Sequence, residues 1–151
     1  VWPACVYRES AIRYKRCVDK ELDKAAGGHV LVIDDDAIMR DLMADWLEGA
    51  GYRVRKAADC GAAVAEVQRG APALIISDMF MPGPCGAMAI AQIKQAVPGV
   101  RVIAVSGHFR SGQGLSAEGA LQAGAARALA KPVKRAELVQ AVTELLGPPV
   151  P

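Results

Sequence analysis

Residues 73–86, ALIISDMFMPGPCG, run from four apolar residues through Ser77 to a single acid, Asp78, and then into Met81, Pro82, Pro84 and Gly86. The apolar run shows no polar alternation, which is the pattern of a strand buried on both faces of a sheet. The prolines and glycine that follow cannot continue such a strand, so the chain must turn there. A parallel sheet with a carboxylate at one strand end is the first expectation.

The same unit recurs on either side. HVLVI (29–33) is apolar and runs into Asp34, Asp35 and Asp36. DAIMRDLMADWLEGAG (36–51) follows as a helix, with Ile38, Leu42, Met43, Trp46 and Leu47 assigned to one face and Gly49 and Gly51 near its end. YRVRKA (52–57) alternates as a strand, and DCGAAVAEVQRG (59–70) is an Asp-capped helix stopped by Gly70. GAMAIAQIKQAVPG (86–99) is a helix with Met88, Ile90, Ile93 and Val97 inward, halted by Pro98-Gly99. VRVIAVS (100–106) is a strand, GHFRSGQGL (107–115) a loop, SAEGALQAG (116–124) a short helix and ARALA (126–130) a strand. KRAELVQAVTELLG (134–147) closes the series as a helix with Leu138, Val142 and Leu145 inward. Five strand–helix units predict a parallel sheet with helices on both faces. Ligands in such sheets sit at the carboxyl ends of the strands.

Composition sets limits on function. The chain has 151 residues, 52% apolar and 23% charged, enough for one domain with a real core. Residues 1–28 hold six basic and four acidic residues, a net +2 that equals the total and leaves residues 29–151 neutral. No basic stripe interleaved with aromatics suggests a nucleic-acid binder. No apolar run reaches the ~18 residues of a membrane span, and the N-terminus lacks a signal-peptide pattern. Cys5, Cys17, Cys60 and Cys85 form no CxxC, and neither His29 nor His108 lies in a cysteine cluster, as expected for reduced thiols in a cytoplasmic protein. Within residues 1–28 a helix over 9–26 is possible, but its apolar residues are too sparse to fold alone.

The strand ends collect the chemistry. Asp34, Asp35 and Asp36 follow the first strand, Asp78 the third, Ser106 the fourth and Lys131-Pro132 the fifth. Asp36 is also the natural N-cap of the next helix. Clustered carboxylates repel unless a cation joins them. Hard oxygen ligands with open positions suit Mg²⁺. A carboxylate is a competent nucleophile toward phosphorus, and phosphoryl transfer asks mainly for positioning and neutralisation of charge.

VLVIDDDAIMR, LIISDMFMPGPCG, VIAVSG and ALAKPV together resemble the receiver domain of two-component response regulators, over about residues 29–147. The resemblance implies a flavodoxin-like, doubly wound five-stranded parallel sheet, strand order 2-1-3-4-5, with five helices. It divides the chain into an extension (1–28, flexible or partly helical), a receiver domain (29–147) and a tail (148–151). It implies that Asp78 is the phosphoacceptor, that Asp35 ligates Mg²⁺ directly and Asp34 partly through water, and that the Phe80 backbone carbonyl completes the metal shell. Ser106 would be the switch hydroxyl, Lys131 the partner of the phosphoryl group, and Pro132 the family's proline, often in a cis bond. Phe80 and His108 occupy positions that tune dephosphorylation. Ala128 stands where many members carry a switch aromatic, three residues before Lys131, and the loop after Ser106 is slightly long. With four residues after Gly147, the expectation is a stand-alone receiver, monomeric or weakly dimeric. Its partners would be a histidine kinase or histidine phosphotransfer protein and a downstream protein target, with neither nucleic acid nor membrane involved. It would not be an enzyme beyond its own phosphorylation and slow autodephosphorylation.

One enzymatic alternative exists. VLVIDDDAI also resembles the first motif of haloacid-dehalogenase-type phosphatases, with Asp34 as nucleophile and Asp36 as general acid. That resemblance leaves Asp78 without a role and finds no acidic pair after Lys131.

Overall fold

The computed structural model describes residues 28–80, 86–107 and 116–149. Five strands and five helices alternate: β1 (His29–Ile33), α1 (Ala37–Gly49), β2 (Arg53–Ala57), α2 (Cys60–Arg69), β3 (Leu74–Asp78), α3 (Gly86–Ala96), β4 (Arg101–Ser106), α4 (Ala117–Ala123), β5 (Arg127–Ala130) and α5 (Arg135–Leu146). All strand pairs are parallel and the order is β2-β1-β3-β4-β5, the doubly wound arrangement expected. The expected caps form. The Asp36 carboxylate accepts from the Ile38 and Met39 N–H groups, that of Asp59 from Ala62 N–H, and the Ser116 hydroxyl from Gly119 N–H. The chain leaves α1 through Gly51, whose φ of 101° only glycine adopts without strain.

The sheet is covered on both faces. Leu31, Ile33 and Ile75 meet Ala63 and Val67 of α2 and Ile93 and Val97 at α3. Val30, Val32, Leu74 and Ile76 meet Met43 and Leu47 of α1 and Leu138 and Val142 of α5. A smaller cluster of Met79, Ile90, Ala104, Ala120 and Ala125 lies under α3 and α4. Leu74, Ile75 and Ile76 are essentially sealed from solvent. Each such side chain contributes roughly 1.5–3 kcal/mol, so β3 is anchored well enough to carry a buried acid at its end. Tyr52 ties α5 back to the α1–β2 corner, its hydroxyl 2.8 Å from Thr143 Oγ1 and 2.8 Å from the Gly147 carbonyl.

Two helix faces differ from expectation. Ile38 is 79% exposed and Leu42 also faces solvent, while Met39, Met43 and Leu47 carry the contact of α1 with the sheet. The i, i+4 pair 38/42 lies one residue, about 100° of helix, away from the 39/43 row that meets the sheet. On α3 Met88 is exposed, and Ile90 and Ile93 supply the inward face. The helix expected at 9–26, the loop 81–85 and the loop 108–115 lie outside the described residues, as do Cys5, Cys17, Cys85 and His108. Cys60 is a free thiol.

His29 opens β1 at the edge away from the acids. It is only 8% exposed, and its Nε2 has no hydrogen-bond partner among the described residues. Burial, helped by Arg55 and Arg53 and opposed by Glu66, lowers its pKa from 6.5 to about 4. The unfolded chain therefore binds the proton first as pH falls. The associated stability is fully present above pH ~6.5 and is lost toward pH ~4, by roughly 2–3 kcal/mol at most. In thermal melts at pH 7.5, 5.5 and 4.5, His29→Leu will flatten the acid decline of the wild type. Parallel declines in the two proteins would show that other groups set the acid limit.

Candidate functional site

The carboxyl edge of the sheet is built from strand ends. Asp34 is the first residue past β1, and its N–H continues the ladder to the Ala57 carbonyl of β2 at 3.2 Å. Asp78 is the last residue of β3, and Met79 N–H reaches the Val105 carbonyl of β4 at 2.8 Å. Ser106 ends β4 beside Ala130 of β5, and Lys131 N–H donates to the Ser106 carbonyl at 3.1 Å. The parallel register thus sets Asp34, Asp78, Ser106 and Lys131 along one edge. The Lys131–Pro132 peptide is cis.

Lys131 lies between the two buried acids. Its Nζ is 3.1 Å from Asp34 Oδ2 and 3.0 Å from Asp78 Oδ2. Asp34 is wholly buried and its Oδ1 accepts from Asp36 N–H at 2.9 Å. Asp78 is nearly as buried, and its Oδ1 accepts from Phe80 N–H at 3.0 Å. Asp35 is exposed beside them, and one carboxylate oxygen from each of Asp34, Asp35 and Asp78 falls within 4.8 Å of the others. Burial raises the pKa of Asp34, and the Asp78 charge adds to the rise. The Asp36 N–H and the Lys131 ammonium act against it. Burial alone would lower the pKa of Lys131, but hydrogen bonds and charge from Asp78 and Asp34 outweigh it and leave the pKa above the usual lysine value. Lys131 pairs with the two buried acids, and Asp35 adds a third carboxylate on the exposed side of the cluster.

These oxygens are the donor set that a hard divalent cation takes. Asp34, Asp35 and Asp78 would hold it, and they fit because their oxygens already converge without rearrangement of the strands. Phe80 follows Asp78 with its side chain exposed. Ser106 is buried at the same edge. Ala128 pairs with Ala104 and packs on the small alanine-rich cluster, so no aromatic stands at that point of β5. Asp36, the general acid of the phosphatase alternative, is exposed and caps α1. One participant escaped the sequence reading: Arg40, whose Nη1 donates to the Asp34 carbonyl at 2.9 Å. Its only signal was a cation one turn into the helix that follows the three acids.

Open α/β sheets of this doubly wound class bind their ligands at the carboxyl edge, where the acids and Lys131 collect. The family model "Response regulator receiver domain" matches residues 30–143, and the chain belongs to that family. It is 33% identical over 119 residues to chemotaxis protein CheY of Bacillus subtilis, covering 78% of this chain and 97% of that protein. It is 35% identical over 116 residues to the C4-dicarboxylate transport transcriptional regulatory protein DctD of Rhizobium meliloti, covering 77% of this chain but 25% of that protein. Among solved structures it is similar to the receiver domain of NtrX from Brucella abortus, with a TM-score of 0.70, 31% identity and coverage of 78% of this chain and 97% of that one. Receiver domains are signalling modules. The haloacid-dehalogenase alternative finds no support in these comparisons. Among the described residues, no helix is long and apolar enough to cross a membrane.

Proposed function

We propose that this receiver accepts a phosphoryl group on Asp78 from a histidine kinase or histidine phosphotransfer protein and signals to a protein partner. The observation that carries the proposal is Lys131 held between buried Asp34 and Asp78, with Asp35 open beside them. An Asp78 oxygen attacks phosphorus, the bond from phosphorus to the donor imidazole nitrogen breaks, and the imidazole leaves with that electron pair. Bound Mg²⁺ would neutralise the incoming phosphoryl oxygens. Asp34, Asp35 and Asp78, with the Phe80 carbonyl, are its proposed ligands. Lys131, already within hydrogen-bond reach of Asp78, offers a positive charge to the phosphoryl group. Ser106, buried at the adjacent strand end, offers a hydroxyl donor.

Ala128 bears on how the signal leaves. No ring on β5 at Ala128 is available to accompany a movement of Ser106, so the output would not use a paired serine–aromatic switch at that position. Neutral charge over residues 29–151 supports a protein target over nucleic acid. Residues 1–28 and 148–151 are assigned as an extension and a tail, and cytoplasmic placement accords with Cys60 as a free thiol.

Intact mass after incubation with acetyl phosphate tests the proposal. The expected result is one added phosphoryl group that requires Mg²⁺ and is absent from Asp78→Asn. A modification that persists in Asp78→Asn would move the nucleophile to Asp34, and no modification from acetyl phosphate or a phosphorylated histidine donor would remove the phosphoacceptor role. The same assay examines Phe80, which is exposed two residues after Asp78 and donates its N–H to Asp78 Oδ1. Phe80→Asn exchanges an apolar cover for a group that can orient water, so the phosphoprotein should decay several-fold faster, roughly 1 kcal/mol of barrier. An unchanged decay rate would deny Phe80 a shielding role.

A further inference from the structure

The end of β1 is gripped from four directions. Asp34 donates its N–H to Ala57 and accepts at Oδ1 from Asp36 N–H and at Oδ2 from Lys131. Its carbonyl lies where the ladder with β2 gives out, because β2 stops at Ala57 and the chain turns into the Asp59 cap of α2. That carbonyl takes its hydrogen bond from Arg40 Nη1, six residues on and in the first turns of α1. The Asp34 carbonyl and the Asp35 N–H belong to one peptide plane. Fixing that carbonyl therefore fixes the direction in which the Asp35 Cα, and with it the exposed Asp35 carboxylate, leaves the strand.

We infer that Arg40 is a positioning residue for the cation site: by holding the Asp34–Asp35 peptide it aims Asp35 at the point where the Asp34 and Asp78 oxygens converge. Asp34 and Asp78 are buried at strand ends and keep their places through β1 and β3. Asp35 is exposed and lies in no strand pair; the Asp34–Asp35 peptide on one side and the Asp36 N–H, bonded to Asp34 Oδ1, on the other set its direction. The inference rests on the proposed cation-binding role of Asp34, Asp35 and Asp78.

Two effects of losing Arg40 have opposite signs, which makes the test sharp. Removing a positive charge beside three acids should strengthen cation binding. Releasing the peptide plane should weaken it. Partners that orient metal ligands from behind are typically worth on the order of 10-fold in metal affinity. Calorimetric Mg²⁺ titration of the full chain is expected to give a Kd raised on the order of 10-fold in Arg40→Met. Arg40→Lys, which keeps the charge and one donor, should fall between it and wild type. Lys56→Met removes an exposed cation, the partner of Asp41 at 2.9 Å, and serves as the charge control, with a Kd equal to or below the wild-type value. Thermal melts without Mg²⁺ verify that each variant is folded, and Arg40→Lys carries the test if Arg40→Met is not. A Kd in the Arg40 variants at or below wild type overturns the positioning role while leaving the cation site intact. Wild-type protein that takes up no Mg²⁺ overturns the cation site and the inference together.

Discussion

In EDTA, Asp78→Asn will unfold at a higher temperature than the wild type while carrying no phosphoryl group from any donor. The pocket sets buried Asp34 and Asp78 and nearby Asp35 against one ammonium. Every carboxylate beyond the first is held there against repulsion and lost hydration. Asparagine keeps the shape and an oxygen that can accept from Phe80 N–H, but it removes one charge. Relief of that repulsion is worth about 1–2 kcal/mol, in the range of other stabilising changes at strained functional sites. The amide is not a nucleophile toward phosphorus, so phosphorylation is lost outright. Adding Mg²⁺ should raise the wild-type midpoint by ligand linkage and close the gap, because the cation relieves the same repulsion. Scanning calorimetry in EDTA and in Mg²⁺, with intact mass on the same samples, checks both halves. A midpoint below wild type in EDTA would mean that the Asp78 charge stabilises the fold.

Lys131→Met should have the opposite effect on stability. Methionine fills much the same volume but removes the only cation hydrogen-bonded to the carboxylates of Asp34 and Asp78 among the described residues. Breaking a fully buried ion pair from one side typically costs 3–5 kcal/mol. The Lys131 side chain is 22% exposed, so water shares the charge and about 2 kcal/mol is the expected loss. Mg²⁺ should restore most of it by supplying positive charge to the same oxygens. Urea unfolding with and without Mg²⁺ measures both numbers. A loss that Mg²⁺ leaves unchanged would mean that Lys131 acts through packing of its stem rather than through its charge. Phosphorylation of Asp78 should persist at a reduced rate, since the nucleophile and the proposed cation ligands remain.

Much of this architecture was legible in one dimension. Unbroken apolar runs at 30–33 and 74–76 mark strands buried on both faces, and glycine, proline and aspartate punctuation marks the helix ends. Alternation of the two leaves few topologies besides a doubly wound parallel sheet. The site was legible for the same reason: Asp34, Asp35, Asp78, Ser106 and Lys131 each follow an apolar strand, so parallel order alone brings them to one edge. Helix faces were less legible. Ile38 and Leu42 are as apolar as Met39 and Met43, and hydrophobicity does not say which of two adjacent stripes meets the sheet. Met88 stayed outside on α3 in the same way.

Local pattern thus decided the elements, their parallel order and which residue types stand at the carboxyl edge, because strand burial and chain punctuation are properties of neighbours in sequence. Three-dimensional packing decided the rest. Lys131 reaches Asp34 across 97 positions and Asp78 across 53, Arg40 takes a carbonyl that the end of β2 leaves over, and burial beside Arg55 and Arg53 lowers the pKa of His29. Each of these depends on the distance between groups and on their removal from water, and neither quantity exists until the sheet has closed around them.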